Sequence, residues 1–344
     1  MTKREKWADL VKGIGIILVI LGHVKYTDEH LRVWLYSFHM PLFFFISGYF
    51  MKPKINLYKD IIHKAKTLLI PYFTLSILSY VIEYFLNLIV YNKVKFWNVD
   101  SIIGFFIQLP PHNIFESPCW FFGCLFVASV LFLLLIYCLK ENKRTILLIS
   151  TIITILEVLL IEKIRLPWNI DISLLMLVFM ASGYYINKQN ILEKYNNFNL
   201  RKKLIIVLVC GVLGFVFCYI NYQANDNRID YYMRELNNEL TCYLAGFFNI
   251  LFVVFICNFL ANRSKIVCFS DLEYVGKNSA IYYVISANGI HIGYAFIIVM
   301  QNILPLYNNM INTIVTFIIT LVIPVPIITL LNKFFPFFIG KTKE

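Results

Sequence analysis

Charge is what this chain of 344 residues has little of. Asp, Glu, Lys and Arg make up 15% of it, where an ordinary soluble domain carries about 25%. That deficit excludes a large soluble domain. The eight cysteines include no CxxC pair and form no Cys/His cluster, which excludes the common zinc and redox motifs. Most of them lie inside apolar runs and read as small packing residues. No internal repeat or low-complexity tract is evident. The N-terminus imitates a signal peptide, with Lys3, Arg4 and Lys6 before an apolar run. It lacks a small-residue cleavage site, and Asp9 and Lys12 interrupt the approach, so the run is expected to stay as an uncleaved first span.

Apolar residues are abundant instead: 59% of the chain, with a mean hydropathy of +0.70. A membrane span needs roughly 20 mainly apolar residues. Ten stretches qualify, at about 8–26, 33–51, 68–91, 119–139, 145–161, 168–187, 204–222, 240–262, 279–300 and 311–334. The expected fold is therefore all-α: a polytopic membrane helix bundle of about ten spans, forming one membrane-embedded domain over 1–344. With the N-terminus in the cytoplasm, 23 of the 31 Lys and Arg residues fall on the cytoplasmic side and 8 outside. Cytoplasmic loops carry such an excess, so both termini are expected inside. The net charge of +11 then has a topological cause and gives no reason to invoke nucleic acid. The expected partner is the lipid bilayer, with room left for a homo-oligomer.

The first two spans carry the most informative polar groups. They read DLVKGIGIILVILGHV from Asp9 and FHMPLFFFISGYFM from Phe38, and each holds one histidine, His23 and His39. Ionisable groups inside a span are costly and usually face a protein interior or a wet cavity. On the ten-span topology, His23, His39, Glu83, Glu157, His291 and, at the mouth of the sixth span, Asp171 lie at similar depth toward the outside, with Asn288 beside them. The coincidence suggests one polar cavity, although depth alone leaves each of them open to a structural hydrogen-bonding role. The longer outer loops, 92–118 and 223–239, are either a rim for that cavity or plain solvated connectors.

Lys12 and His23 are eleven residues apart, ~16 Å along one helix and close to three full turns, so they share a face. That is about the reach of an acyl carrier arm such as pantetheine. A basic group at the inner interface can hold phosphates while a thioester carbonyl lies near the histidine; equally, Lys12 can be a snorkelling interfacial lysine. Histidine can take a proton from a sugar hydroxyl near neutral pH, and a carboxylate can orient its ring. Glu83, Glu157 and Asp171 are the candidates, and the sequence does not choose among them. His39 either positions the acyl donor or acceptor, or packs. Pro41 frees a carbonyl and can kink its span. Ser47 and Gly48 allow close helix approach, and Ser47 is no obvious nucleophile without a Gly-x-Ser-x-Gly turn. Trp120 is a belt anchor or a sugar platform. No metal is implied.

These strings resemble the acyltransferase-3 family of integral membrane acyltransferases, in particular its fucose 4-O-acetylase-like branch. The resemblance rests first on Asp9, Lys12, Gly13, Gly22 and His23, with Lys12 standing where the family motif has Arg, ten residues before His. An ammonium keeps the charge but not the bidentate fork of a guanidinium. FHMPLFFFISGYF (38–50), KAKTLLIPYF (64–73) and SPCWFFGCLF (117–126) are similar to further family strings. His63 and Lys66 stand at the spacing of an arginine pair common in the family. VGKNSAIYYVIS (275–286) is similar to a late signature that often ends in His; here Ser286 holds that place and His291 follows.

The resemblance implies transfer of an acyl group, most often acetyl from acetyl-CoA, to a sugar hydroxyl of a surface polysaccharide or a lipid-linked glycan, in a bacterial cytoplasmic membrane. His23 is then the expected base, with His39 and, from their depth, Glu83 and Glu157 as the catalytic groups expected around it. Lys12, His63, Lys64 and Lys66 would hold the donor, and Ser47, Trp120, Asn288 and His291 the acceptor. No fused esterase-type domain is seen, so delivery and transfer would both fall to the membrane domain. Two rivals remain from the sequence: an exporter or permease for a polysaccharide intermediate or small polar molecule, and a scaffold subunit of an assembly complex.

Overall fold

The computed structural model describes residues 5–25, 27–54, 56–91, 99–109, 119–160, 164–224, 229–262, 268–303 and 308–340. The described residues form helices α1 (Lys6–His23), α2 (Glu29–Tyr49), α3 (Leu57–Tyr91), α4 (Val99–Ile107), α5 (Trp120–Cys138), α6 (Lys143–Leu160) and α7 (Ile170–Lys188). They continue with α8 (Ile191–Asn196), α9 (Leu200–Ala224), α10 (Glu239–Ala261), α11 (Cys268–Lys277), α12 (Ser279–Ile303), α13 (Asn309–Val322) and α14 (Pro324–Phe334). The only extended pairing among them is a bridge between Asp230 and Glu235. Within the described residues, each of the ten apolar stretches expected from the sequence lies for the most part on a helix, the last one on α13 and α14 together. The sequence reading passed over three short helices, α4, α8 and α11. Parts of the 92–118 loop, namely 92–98 and 110–118, lie outside the described residues, as do several of the basic residues used to orient the chain.

Among the described residues six helices are long and apolar enough to cross a membrane, and a seventh span arises if Ser279–Ala287 and Ile290–Gln301, which meet at 45°, are taken as one. α1 misses the composition of an ordinary span because it carries Lys6, Asp9 and Lys12 in 18 residues. α2 is diluted by Arg32, His30, His39 and its other polar groups. α6 falls short in the same way as α1, through Lys143, Arg144 and Glu157 in its 18 residues.

Membrane character is written in which faces are buried. On α13, Asn312, Thr316 and Thr320 recur every fourth residue and are buried, while Met310, Ile311, Ile314, Ile318 and Val322 are exposed. On α6, Ser150, Thr154 and Glu157 face inward and Leu148, Ile152, Ile155 and Leu159 face out. Apolar stripes normally mark the buried face of a water-soluble helix. Here the small polar groups make the interior contacts and the apolar groups meet the surroundings, the pattern expected when the solvent is lipid.

α2 sits at the centre of the bundle, packed against α1, α7 and α10. Asp28 caps it, its side chain accepting from the Leu31 amide at 3.1 Å, and the helix runs on through Pro41 to Tyr49. It crosses α7 at backbone contact: a Cβ at Gly48 would strike the Met180 carbonyl, and one at Gly183 would strike the Phe45 carbonyl. A second such crossing joins α1 to α11, where Gly276 lies on the Asp9 carbonyl and Gly13 on that of Leu272. Small residues at these crossings let van der Waals contact hold helices that lipid cannot drive together.

Candidate active site

The last turn of α1 and the middle of α2 bring His23 and His39 together through an intervening tyrosine. His23 Nδ1 lies 2.8 Å from the Val19 carbonyl, and His39 Nδ1 lies 2.7 Å from the Leu35 carbonyl. A carbonyl can only accept, so both Nδ1 atoms donate, and in each neutral ring the lone pair sits on Nε2. The Tyr36 hydroxyl stands 3.4 Å from His23 Nε2. The Tyr36 ring meets the His39 ring edge-on at 4.8 Å and the His23 ring at 5.6 Å. His23 is exposed at the end of its helix, whereas His39 is only 2% exposed. One histidine is open to an incoming molecule and the other is packed behind it.

α1 is one unbroken helix from Lys6 to His23, so Lys12 and His23 are separated by three turns of continuous helix. Lys12 Nζ lies 3.9 Å from Asp9, which is buried. The Asp9 turn is also where α11 docks, so the basic end of α1 is flanked by a helix absent from the sequence reading. His63, Lys64 and Lys66 lie near the start of α3, with His63 and Lys66 exposed.

Two of the three candidate carboxylates, Glu157 and Asp171, are engaged with arginines. Glu157 of α6 is ion-paired with Arg234, whose guanidinium also lies 3.4 Å from Asp171 of α7. Asp171 in turn pairs with Arg165 Nε at 3.0 Å. Both carboxylates and Arg234 are buried. For a buried charge this pairing is the physical requirement; at both histidines Nδ1 lies on a backbone carbonyl. Arg165 also donates to the Tyr232 carbonyl at 2.9 Å and lies over the Tyr232 ring. Trp120 packs on the other partner of that group, 4.8 Å from the Tyr232 ring. Glu83 is half-buried on α3, and its carbonyl accepts from Asn87 Nδ2 at 3.0 Å.

The remaining candidates divide. Ser47 is half-buried on α2, two turns beyond His39. His291 is exposed on α12. Tyr294, one turn further on the same face, meets the Lys25 amide with its hydroxyl, so that stretch of α12 stands beside the His23 end of α1. The Asn288 side chain lies outside the described residues.

Sequence reasoning missed Tyr36, Arg165 and Arg234. Tyr36 precedes His39 by three positions and so shares its helix face, a signal that was available. Arg165 stands six residues before Asp171, across the turn that opens α7, so that pair was within local reach; Arg234 comes from a loop far from its partners in the chain, and no periodicity announces such a pair.

The profile of the acyltransferase-3 family, described as an acyltransferase domain, matches residues 5–332. No curated protein and no solved structure shows a match. The matched stretch runs from the start of α1 through α14, taking in both histidine helices, and the chain therefore belongs to the acyltransferase-3 family of membrane acyltransferases.

Proposed function

We propose that this acyltransferase is an O-acetyltransferase that moves acetyl from cytoplasmic acetyl-CoA to a sugar hydroxyl of a surface polysaccharide or lipid-linked glycan. The reading includes ten spans with both termini in the cytoplasm, in the cell membrane of a bacterium. One observation carries it: Lys12 and an exposed, tautomer-fixed His23 lie on one face of an uninterrupted helix, separated by the length of an acyl carrier arm.

The chemistry follows from the atoms. His23 Nε2 accepts the proton of the acceptor hydroxyl as that oxygen bonds to the thioester carbonyl carbon. When the carbon–sulfur bond breaks, the departing thiolate takes the proton back from His23, leaving an ester and a free thiol. Val19 holds the ring through Nδ1, so it stays aligned throughout and its imidazolium keeps a hydrogen-bond acceptor. Lys12, with His63, Lys64 and Lys66, supplies positive charge for the donor's phosphates. Trp120, His291, Asn288 and Ser47 are assigned to the acceptor side, and His39 to positioning behind Tyr36.

Binding of labelled acetyl-CoA to the purified protein in lipid nanodiscs tests the donor half. Wild type should bind, and Lys12→Ala should bind about 10- to 100-fold more weakly, the worth of one hydrogen bond to a charged group. Failure of wild type to bind would replace this reading with a transport role.

A further inference from the structure

We infer that Tyr36 is a further catalytic residue: its hydroxyl rests against His23 Nε2 and turns to the carbonyl oxygen of the acyl donor once the acceptor hydroxyl takes its place on that nitrogen. The inference rests on the acyl-transfer reading of His23.

The geometry begins with the tautomer. Because Nδ1 of His23 donates to Val19, Nε2 is the accepting atom, and the Tyr36 hydroxyl 3.4 Å away is the donor. The position is therefore occupied by a hydroxyl of the kind that the base must deprotonate. A nitrogen with one lone pair accepts one such bond well. When a substrate hydroxyl arrives within the roughly 2.6–3.2 Å needed for proton transfer, Tyr36 must give up Nε2. Rotation about its C–O bond is enough to redirect the proton, and the ring need not move.

The ring is buried and held between two neighbours. His39 meets it edge-on at 4.8 Å. Tyr36 itself is only 8% exposed. Gly22, the residue just before His23, leaves the space that the ring fills: a Cβ there would lie 3.0 Å from the Tyr36 ring. The Gly-His string at the end of α1 thus has a structural meaning in this chain, since the glycine admits the tyrosine to the histidine. A rigidly held donor beside the attacking oxygen is what stabilises a developing oxyanion, because it costs no reorganisation when charge appears. The buried His39, tied to Leu35, acts through Tyr36 as a positioning residue.

Tyr36→Phe tests this, since it removes the hydroxyl and keeps the ring. Acyl transfer would be measured in membranes with wild type and variant at equal folded protein, varying the acyl-CoA concentration, with melting temperature read in parallel. Loss of one oxyanion donor lowers turnover by about 100- to 1,000-fold, with the donor KM and melting temperature near those of wild type. Turnover within about threefold of wild type would overturn the assignment. So would a raised KM with unchanged turnover, which marks ground-state binding, or a loss that tracks a lowered melting temperature. Absence of transfer by wild type would remove the acyl-transfer reading and this inference with it. An active wild type matched by an active Tyr36→Phe removes this inference alone.

Discussion

Arg234, in the loop between α9 and α10, closes on Glu157 of α6 and holds Asp171 of α7 with the same guanidinium. The loop is further tied at Tyr231, whose hydroxyl donates to the Ser37 carbonyl of α2 at 3.1 Å. One connection therefore braces three helices, including the one that carries Tyr36 and His39. Arg234→Gln takes the arginine from the buried Glu157, while Asp171 keeps Arg165, and breaking such a pair from one side costs about 3–5 kcal/mol. Thermal unfolding in detergent should show a clear drop in melting temperature; an unchanged midpoint would mean that the cluster is not structural.

The crossing of α2 and α7 depends on backbone contact at Gly48 and Gly183. Gly183→Val has no room for its side chain unless the helices separate. Overpacking of this kind costs about 1–3 kcal/mol or more, and separation would move α2 relative to α1. The variant should melt lower and also lose transfer per folded molecule. Full activity at full stability would contradict the crossing.

Lys12 offers charge without a fork. If the donor's phosphates lie there, Lys12→Arg should keep or lower the donor KM, because a guanidinium can grip phosphate with two parallel bonds. Lys12→Gln should raise that KM by about 10- to 100-fold, the worth of one charged hydrogen bond, with a smaller effect on turnover. Equal KM values across the three would place the phosphates elsewhere.

His39 is buried, and its Nδ1 proton is committed to Leu35. Asn carries an amide nitrogen that can make the same donation, so His39→Asn tests the ring rather than the bond. Loss of the edge contact loosens Tyr36, and misplacement on the scale of 1 Å can cost about 100-fold in rate. Turnover should fall while the melting temperature holds. A parallel fall of both would reduce His39 to packing.

Much of this molecule was legible in the sequence, for a physical reason. Bilayer thickness fixes span length, so ten apolar stretches of that length could be laid out, and within the described residues each of them lies for the most part on a helix. The unbroken helix that joins Lys12 to His23 could be read in the same way, because helical rise turns spacing directly into distance. What could not be read were contacts between distant segments. Arg234 was visible only as a charge in an outer loop, and nothing local ties it to Asp171 and Glu157. α11 is short and mixed in composition, and it is a partner for α1 only because Gly13 and Gly276 let the backbones touch. Tyr36 stood in plain sight three residues before His39, but its approach to His23 needed the space at Gly22.

The most direct measurement is transfer of labelled acetyl from acetyl-CoA to surface glycan, in membranes from a host that makes its own acceptor glycan, with wild type and His23→Ala at equal protein level. Label that appears on glycan with wild type and vanishes with His23→Ala is the predicted result. Label with both proteins would discard His23 as the base, and label with neither would contradict the acetyl-transfer account itself.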